Sequence, residues 1–293
     1  MPRKTLGETS PPRPLPAREP VTPTGVRNRV LLAVLLPLAA ALLLGLVTGA
    51  PFGRGEIAST SAAPAFAALG LVSWFLGLRL YGLRGMALRG GRPLFAGIGF
   101  AVLAWVAALI GRLLPGLPQT FNADGQIVVS TSLLVEVVAY RSAGSGRVFL
   151  YLLLFEAFAV QLWAFGLVFR ALADYRGGLT AAIVSGLLFG AVGFTLFGES
   201  FVASMDAPLL AGLTSLIYFL LWGVLYGIIR LRTGSILGTI LVQALQTFTV
   251  WFVLQPPPDL AATGIQTVFL AVSLLFLMII WRLWPRRAED YRV

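Results

Sequence analysis

The sequence contains no histidine and no cysteine. The first absence removes the commonest general base near neutral pH and the commonest zinc ligand. The second excludes disulfides, thiolate nucleophiles and cysteine-ligated metals. Charge is scarce as well. Only 12% of the 293 residues are charged, too few to coat a soluble domain of this length, whereas 58% are hydrophobic. The mean hydropathy of +0.87 agrees with that bias. There is no Walker A loop, no Rossmann glycine fingerprint and no HExxH. Ser185 lacks a histidine or lysine partner on neighbouring helices, which argues against a serine protease.

What the chain does have is apolar runs long enough to cross a hydrocarbon core of ~30 Å, which takes ~20 helical residues. Eight such runs are predicted, at about 30–50, 62–83, 93–114, 147–172, 178–197, 208–230, 234–254 and 261–284. The fold class is therefore all-α, a polytopic transmembrane bundle. Residues 1–28, rich in proline and scattered basic residues, read as a disordered cytoplasmic tail. Residues 29–285 form the membrane domain and 286–293 a second cytoplasmic tail. The run from Val30 to Ala50 is long enough to be an uncleaved first span rather than a signal peptide. The stretch 127–142 is too charged to cross and is expected to lie along the interface.

The net charge of +10 does not call for nucleic acid, because the basic residues stand at the ends of hydrophobic runs. With both termini cytoplasmic, 18 of the 22 basic residues fall inside, and only Arg54, Arg112, Arg141 and Arg147 fall outside. That is the split of the positive-inside rule, and it places the chain in a membrane, read as the bacterial cytoplasmic one. Trp281 and Trp284 beside Arg282 fit an aromatic belt at the last exit. No internal repeat is evident, which disfavours a secondary transporter.

Three segments carry a resemblance. GLVFRAL (Gly166 to Leu172), SGLLFGAVG (Ser185 to Gly193) and LRTGSILGTILVQALQT (Leu231 to Thr247) lie on the fourth, fifth and seventh runs. Their wording and spacing resemble the CPBP intramembrane proteases, a family that includes CAAX prenyl endopeptidases and bacteriocin-processing and immunity proteins. The likeness covers about residues 145–255. It implies EExxxR on one helix, FxxxH on the next and HxxxN or HxxxD on a later one. These would surround a central cavity where a carboxylate activates water and histidines line a site able to hold a metal.

Carried over position by position, those motifs are lost. The glutamate pair falls on Val160 and Gln161, the arginine on Phe165, the first histidine on Gly193, and the last motif on Gln243 and Thr247. Phe189 keeps the FxxxH phenylalanine. Valine transfers no proton, an amide does not titrate, and glycine has no side chain, so no general base remains at those positions. No catalytic residue, metal site or cofactor is therefore assigned.

Glu156, one turn before Val160, is a candidate substitute acid, because an ionisable residue within a span marks a functional site by default. The plainer reading is a glutamate that is protonated, or hydrogen-bonded to Gln161, Gln243 or Gln246, as structural glue. Gln243 and Gln246 invite the same choice between interhelical bonding and ligand contact. Gly186 and Gly190 form GxxxG, and with Gly193 a smooth strip that suits close helix packing. Arg170, Arg176, Arg230 and Arg232 are expected to snorkel to the cytoplasmic surface, with an anionic-headgroup site as the alternative.

The sequence thus predicts a catalytically degenerate relative of the CAAX proteases. Glu156, Gln161, Phe189, Gln243 and Gln246 would line a vestigial cavity. Its occupant would be a membrane partner, a lipid or a prenyl-like chain, and the protein a scaffold, assembly subunit or immunity factor. The alternatives are an active endopeptidase with a rearranged site using Glu156, and a small transporter or channel.

Overall fold

The structure is a computed structural model, and it describes residues 23–49, 63–113, 145–195, 208–248 and 262–287. The interfacial stretch 127–142, the outer prolines 256–258 and most of both expected tails lie outside the described residues. Among the described residues eight helices follow one another: α1 Pro23–Val47, α2 Ala63–Gly85, α3 Arg92–Leu113, α4 over residues 145–176, α5 Gly178–Gly193, α6 Pro208–Thr233, α7 Leu237–Thr247 and α8 Ala262–Leu283. Helix α1 starts within the stretch read as tail. Pro23 suits a first helical position, where its missing N–H costs nothing.

Four helices are long and apolar enough to cross a membrane: Thr24–Val47, Ala63–Gly85, Phe149–Arg176 and Gly212–Thr233. Arg92–Ala107, Gly178–Gly193 and Leu270–Leu283 are shorter apolar helices. The architecture is that of an all-α membrane bundle. Burial separates its members. The Phe149–Arg176 span is 78% buried within the protein, while the Thr24–Val47 span is 22% buried and turns leucines such as Leu35 and Leu43 outward. Helix α4 is therefore the centre and α1 the periphery.

Helix α4 is not uniform. Ordinary α-helical turns at Ser145–Tyr151, Phe158–Gln161 and Phe169–Arg176 alternate with π turns at Leu152–Ala157 and Leu162–Val168. Such widened turns are rare and occur often at functional positions. Gly177, at φ 91°, ends the helix in a conformation that side chains resist, and α5 starts at once.

Glycine also sets the distance between α5 and α6. A Cβ on Gly186 would lie 2.6 Å from the Gly223 carbonyl oxygen, and one on Gly190 would collide with the Phe219 carbonyl. From the other side, Gly223 faces the Gly186 carbonyl and Gly227 the Ala182 carbonyl. The GxxxG strip is thus a backbone-to-backbone seam, completed by glycines four residues apart on α6. A second close crossing brings Gly238 of α7 against Gly97 of α3.

The segment RTGS explains how α6 stops and α7 starts. Thr233 Oγ1 donates to the Ile229 carbonyl at 2.8 Å, and Gly234, at φ 72°, brings its N–H to the Arg230 carbonyl at 2.9 Å. Ser235 Oγ then accepts the Leu237 N–H at 3.3 Å in the manner of an N-cap. The same hydroxyl donates to the Arg89 carbonyl at 2.7 Å, and the Ile236 N–H donates to the Ala87 carbonyl at 3.0 Å. The connection after α6 is thereby fastened to the one after α2.

Candidate functional site

Residues separated by about 80 positions meet between α4 and α7. Gln161 Nε2 donates to Gln243 Oε1 at 2.7 Å, and Thr239 Oγ1 lies 2.9 Å from Gln161 Oε1. The Thr239 hydroxyl also lies 2.9 Å from the Ile236 carbonyl, so its single proton serves two acceptors. Gln161 is wholly buried. A buried amide left unpaired would cost the full desolvation of its polar atoms, and this chain of three side chains avoids most of that.

Beside the amides lies a knot of aromatic rings. Phe165 of α4 and Phe189 of α5 sit with centroids 5.2 Å apart, and Phe189 meets Trp222 and Tyr226 of α6 edge-on at 5.9 and 5.8 Å. Offset and edge-on pairs of this kind are favourable beyond simple area burial. The cluster joins α4 and α5 to α6, which supplies Trp222 and Tyr226. The positions paired by the motif comparison are therefore neighbours in space: Gln161 touches Gln243, and Phe165 touches Phe189.

The remaining candidates separate. Val160 is buried next to Gln161 on α4. Gly193 is half-buried, and a Cβ there would lie 3.1 Å from the Phe219 ring, so a histidine would press on that ring. Gln246 Oε1 accepts from the Tyr226 hydroxyl at 3.2 Å, but among the described residues its Nε2 and the Thr247 hydroxyl have no hydrogen-bond partner although both residues are buried. Ser185 makes only a marginal contact, 3.5 Å to the Ala182 carbonyl.

Two expectations need correction. Glu156 is 3% exposed, inside the first π turn of α4, yet among the described residues it makes no hydrogen bond to Gln161, Gln243 or Gln246. Gln161 donates to Gln243 and accepts from Thr239, and Gln246 accepts from Tyr226 instead. Arg230 does not snorkel either. It is 2% exposed, donates from Nε to the Phe165 carbonyl at 3.2 Å, and places its guanidinium 4.6 Å from the centre of the Phe169 ring. The second π turn loosens the regular backbone ladder around Phe165, and Arg230 serves the carbonyl there. Arg170 is held by Asp174 at 2.9 Å, one turn along α4.

Tyr226, Trp222 and Thr239 were not read from the sequence as site residues, and Arg230 was read only as an arginine of the cytoplasmic surface. A signal was present. Tyr218, Trp222, Tyr226 and Arg230 recur every fourth residue on α6, which places them on one helical stripe.

Buried amides, an aromatic cluster and a glycine seam thus hold together the core of an all-α membrane bundle. Residues 142–249 match the model of the type II CAAX prenyl endopeptidase Rce1-like family, a match that runs from α4 to the end of α7 and supports membership of the CPBP/CAAX-protease family. No curated protein and no solved structure matches the chain.

The resemblance implied histidines and carboxylates able to hold a metal, and the residues present do not fit one. An amide pair, a valine, a phenylalanine and a glycine supply no anionic or imidazole ligand. Among the described residues no three of the acidic, histidine or cysteine side chains come together. The arrangement can donate and accept hydrogen bonds and can pack apolar matter, but at these positions nothing activates water.

Proposed function

We propose that the protein is a non-catalytic member of the CAAX-protease-like family, in which the former hydrolytic centre has become a hydrogen-bonded junction between helices. Its role is to engage a membrane partner, a lipid or a prenyl-like chain rather than to cleave one. One observation carries the reading. Where the family would place a glutamate and a histidine in register, Gln161 and Gln243 hydrogen-bond to each other at 2.7 Å. Neither amide titrates, and the bond from one to the other holds helices together without activating water. The unmatched Nε2 of Gln246 and hydroxyl of Thr247 supply hydrogen-bonding capacity for a polar group of the bound partner.

The test is a cleavage assay on purified protein with a prenylated CAAX peptide and with unmodified membrane peptides. No cleavage is expected, and native mass spectrometry should show a co-purifying lipid, prenyl species or membrane protein. A second reading rests on Glu156, a buried carboxyl group not engaged by the nearby glutamines. Cleavage that disappears in Glu156→Gln would establish that reading and overturn the first.

A further inference from the structure

Away from the amide junction, α3 and α8 enclose a groove of about 310 Å³. Leu103, Val106 and Ala107 form one wall, Leu275 and Ile279 the other, and Arg282 is the charged residue of the lining. Arg282 lies one residue before the end of α8 and is exposed. Among the described residues it has neither an ion-pair nor a hydrogen-bond partner.

Trp281 and Trp284, 73% and 39% exposed, stand on either side of it in the chain. Exposed tryptophans at a helix end mark the level of the lipid headgroups, and an arginine there directs its guanidinium to the same level. The groove thus descends from a cation at headgroup depth into an apolar slot. An anion that arrives with its own hydrocarbon chain matches both ends of the slot, the cation at headgroup depth and the apolar walls below it.

We propose that the α3–α8 groove is a binding site for a phospholipid with an anionic headgroup, the phosphate on Arg282 and an acyl chain between Leu103, Val106 and Ile279. A zwitterionic lipid fits the apolar part equally well but carries its own ammonium beside the phosphate, which offsets the attraction. The site therefore discriminates by headgroup charge. It is separate from the junction of α4 and α7 and does not depend on what that junction does.

The full-length protein, purified in mixed micelles holding equal amounts of phosphatidylglycerol and phosphatidylcholine, is examined by native mass spectrometry. Bound phosphatidylglycerol is expected to exceed bound phosphatidylcholine. Arg282→Gln should lower that preference about fivefold, the ratio equivalent to ~1 kcal/mol for an arginine near an anionic surface. Arg84→Gln, an exposed arginine on α2 away from the groove, should leave it unchanged. Val106→Trp, at an exposed position of the wall, fills the slot and should reduce retention of both lipids with the cation intact. Equal retention of the two lipids by the natural protein, an undiminished preference in Arg282→Gln, or an acidic protein bound in place of lipid would each overturn the proposal.

Discussion

The two interfaces that bring the motif helices together are built from opposite materials. Helices α5 and α6 meet where side chains are missing, with Gly186 and Gly190 set against Gly223 and Gly227. Helices α4 and α7 meet where side chains are polar, through Gln161, Gln243 and Thr239. In a bilayer the lipid tails are as apolar as leucine, so helices gain little by merely hiding apolar surface from them. Association then needs either very close packing or interhelical hydrogen bonds, and this bundle uses one on each side of Phe165 and Phe189. The difference also separates what can be altered cheaply from what cannot.

The largest effect is expected at the glycine seam. In Gly223→Leu the new side chain must displace the Gly186 carbonyl, a backbone group that cannot rotate away. Overpacking in ordinary cores costs ~1–3 kcal/mol and occasionally more, and a backbone collision lies at the upper end. Little folded, monodisperse protein should be recovered by size-exclusion chromatography. Recovery at natural levels would mean that the helices can separate freely and that the seam does not set their spacing.

Arg230→Ala comes next. It removes the donor to the Phe165 carbonyl and the cover over the Phe169 ring at once. A buried acceptor left without its donor costs ~1–3 kcal/mol, so the thermal midpoint in detergent should fall clearly. Arg230→Lys keeps the charge but not the planar fork, and should fall between the two.

Gln161→Leu tests the polar side of the comparison. It strands the Gln243 amide and releases Thr239, and interhelical hydrogen bonds in membranes average only ~0.6 kcal/mol by double-mutant cycles. The expected loss is about 1 kcal/mol, below that of either earlier variant. The double variant Gln161→Leu with Gln243→Leu should recover part of it, since two apolar side chains leave no orphaned partner. A double variant as unstable as the sum of the singles would show that the two amides are not coupled.

Much of this was legible before the structure, for physical reasons. Run length and arginine placement reveal membrane helices because bilayer thickness and charge cost are fixed quantities. RTGS signalled a break because a threonine, a glycine and a serine there can end one helix and start another, as Thr233, Gly234 and Ser235 do. The glycine strip on α5 could likewise be read as a packing face. The contribution of α6 was harder to see. Its aromatic stripe lies in a run that is apolar throughout, and aromatic rings there carry no catalytic residue type to set them apart. The two π turns of α4 left no trace in residue type, and neither did the inward course of Arg230. A snorkelling arginine and a buried one near a helix end look alike until the acceptor, here a carbonyl 65 residues away, is known.

The smallest effect is expected at Thr247, and it bears most directly on function. Thr247 is buried and its hydroxyl has no partner among the described residues, whereas Thr239 on the same helix lies within hydrogen-bond distance of Gln161. Replacing each by valine keeps the shape and removes the hydroxyl. Thr239→Val should lose roughly 0.5–1 kcal/mol with its bond, but Thr247→Val should be neutral or slightly stabilising, because an unsatisfied buried hydroxyl is a cost that the substitution removes. Thermal melts of the two variants in one detergent make the comparison. Should Thr247→Val prove the more damaging, its hydroxyl has a partner in the working protein. If the same variant also loses a co-purifying lipid, prenyl species or protein, that partner is the ligand, and the junction between α4 and α7 is where it is held.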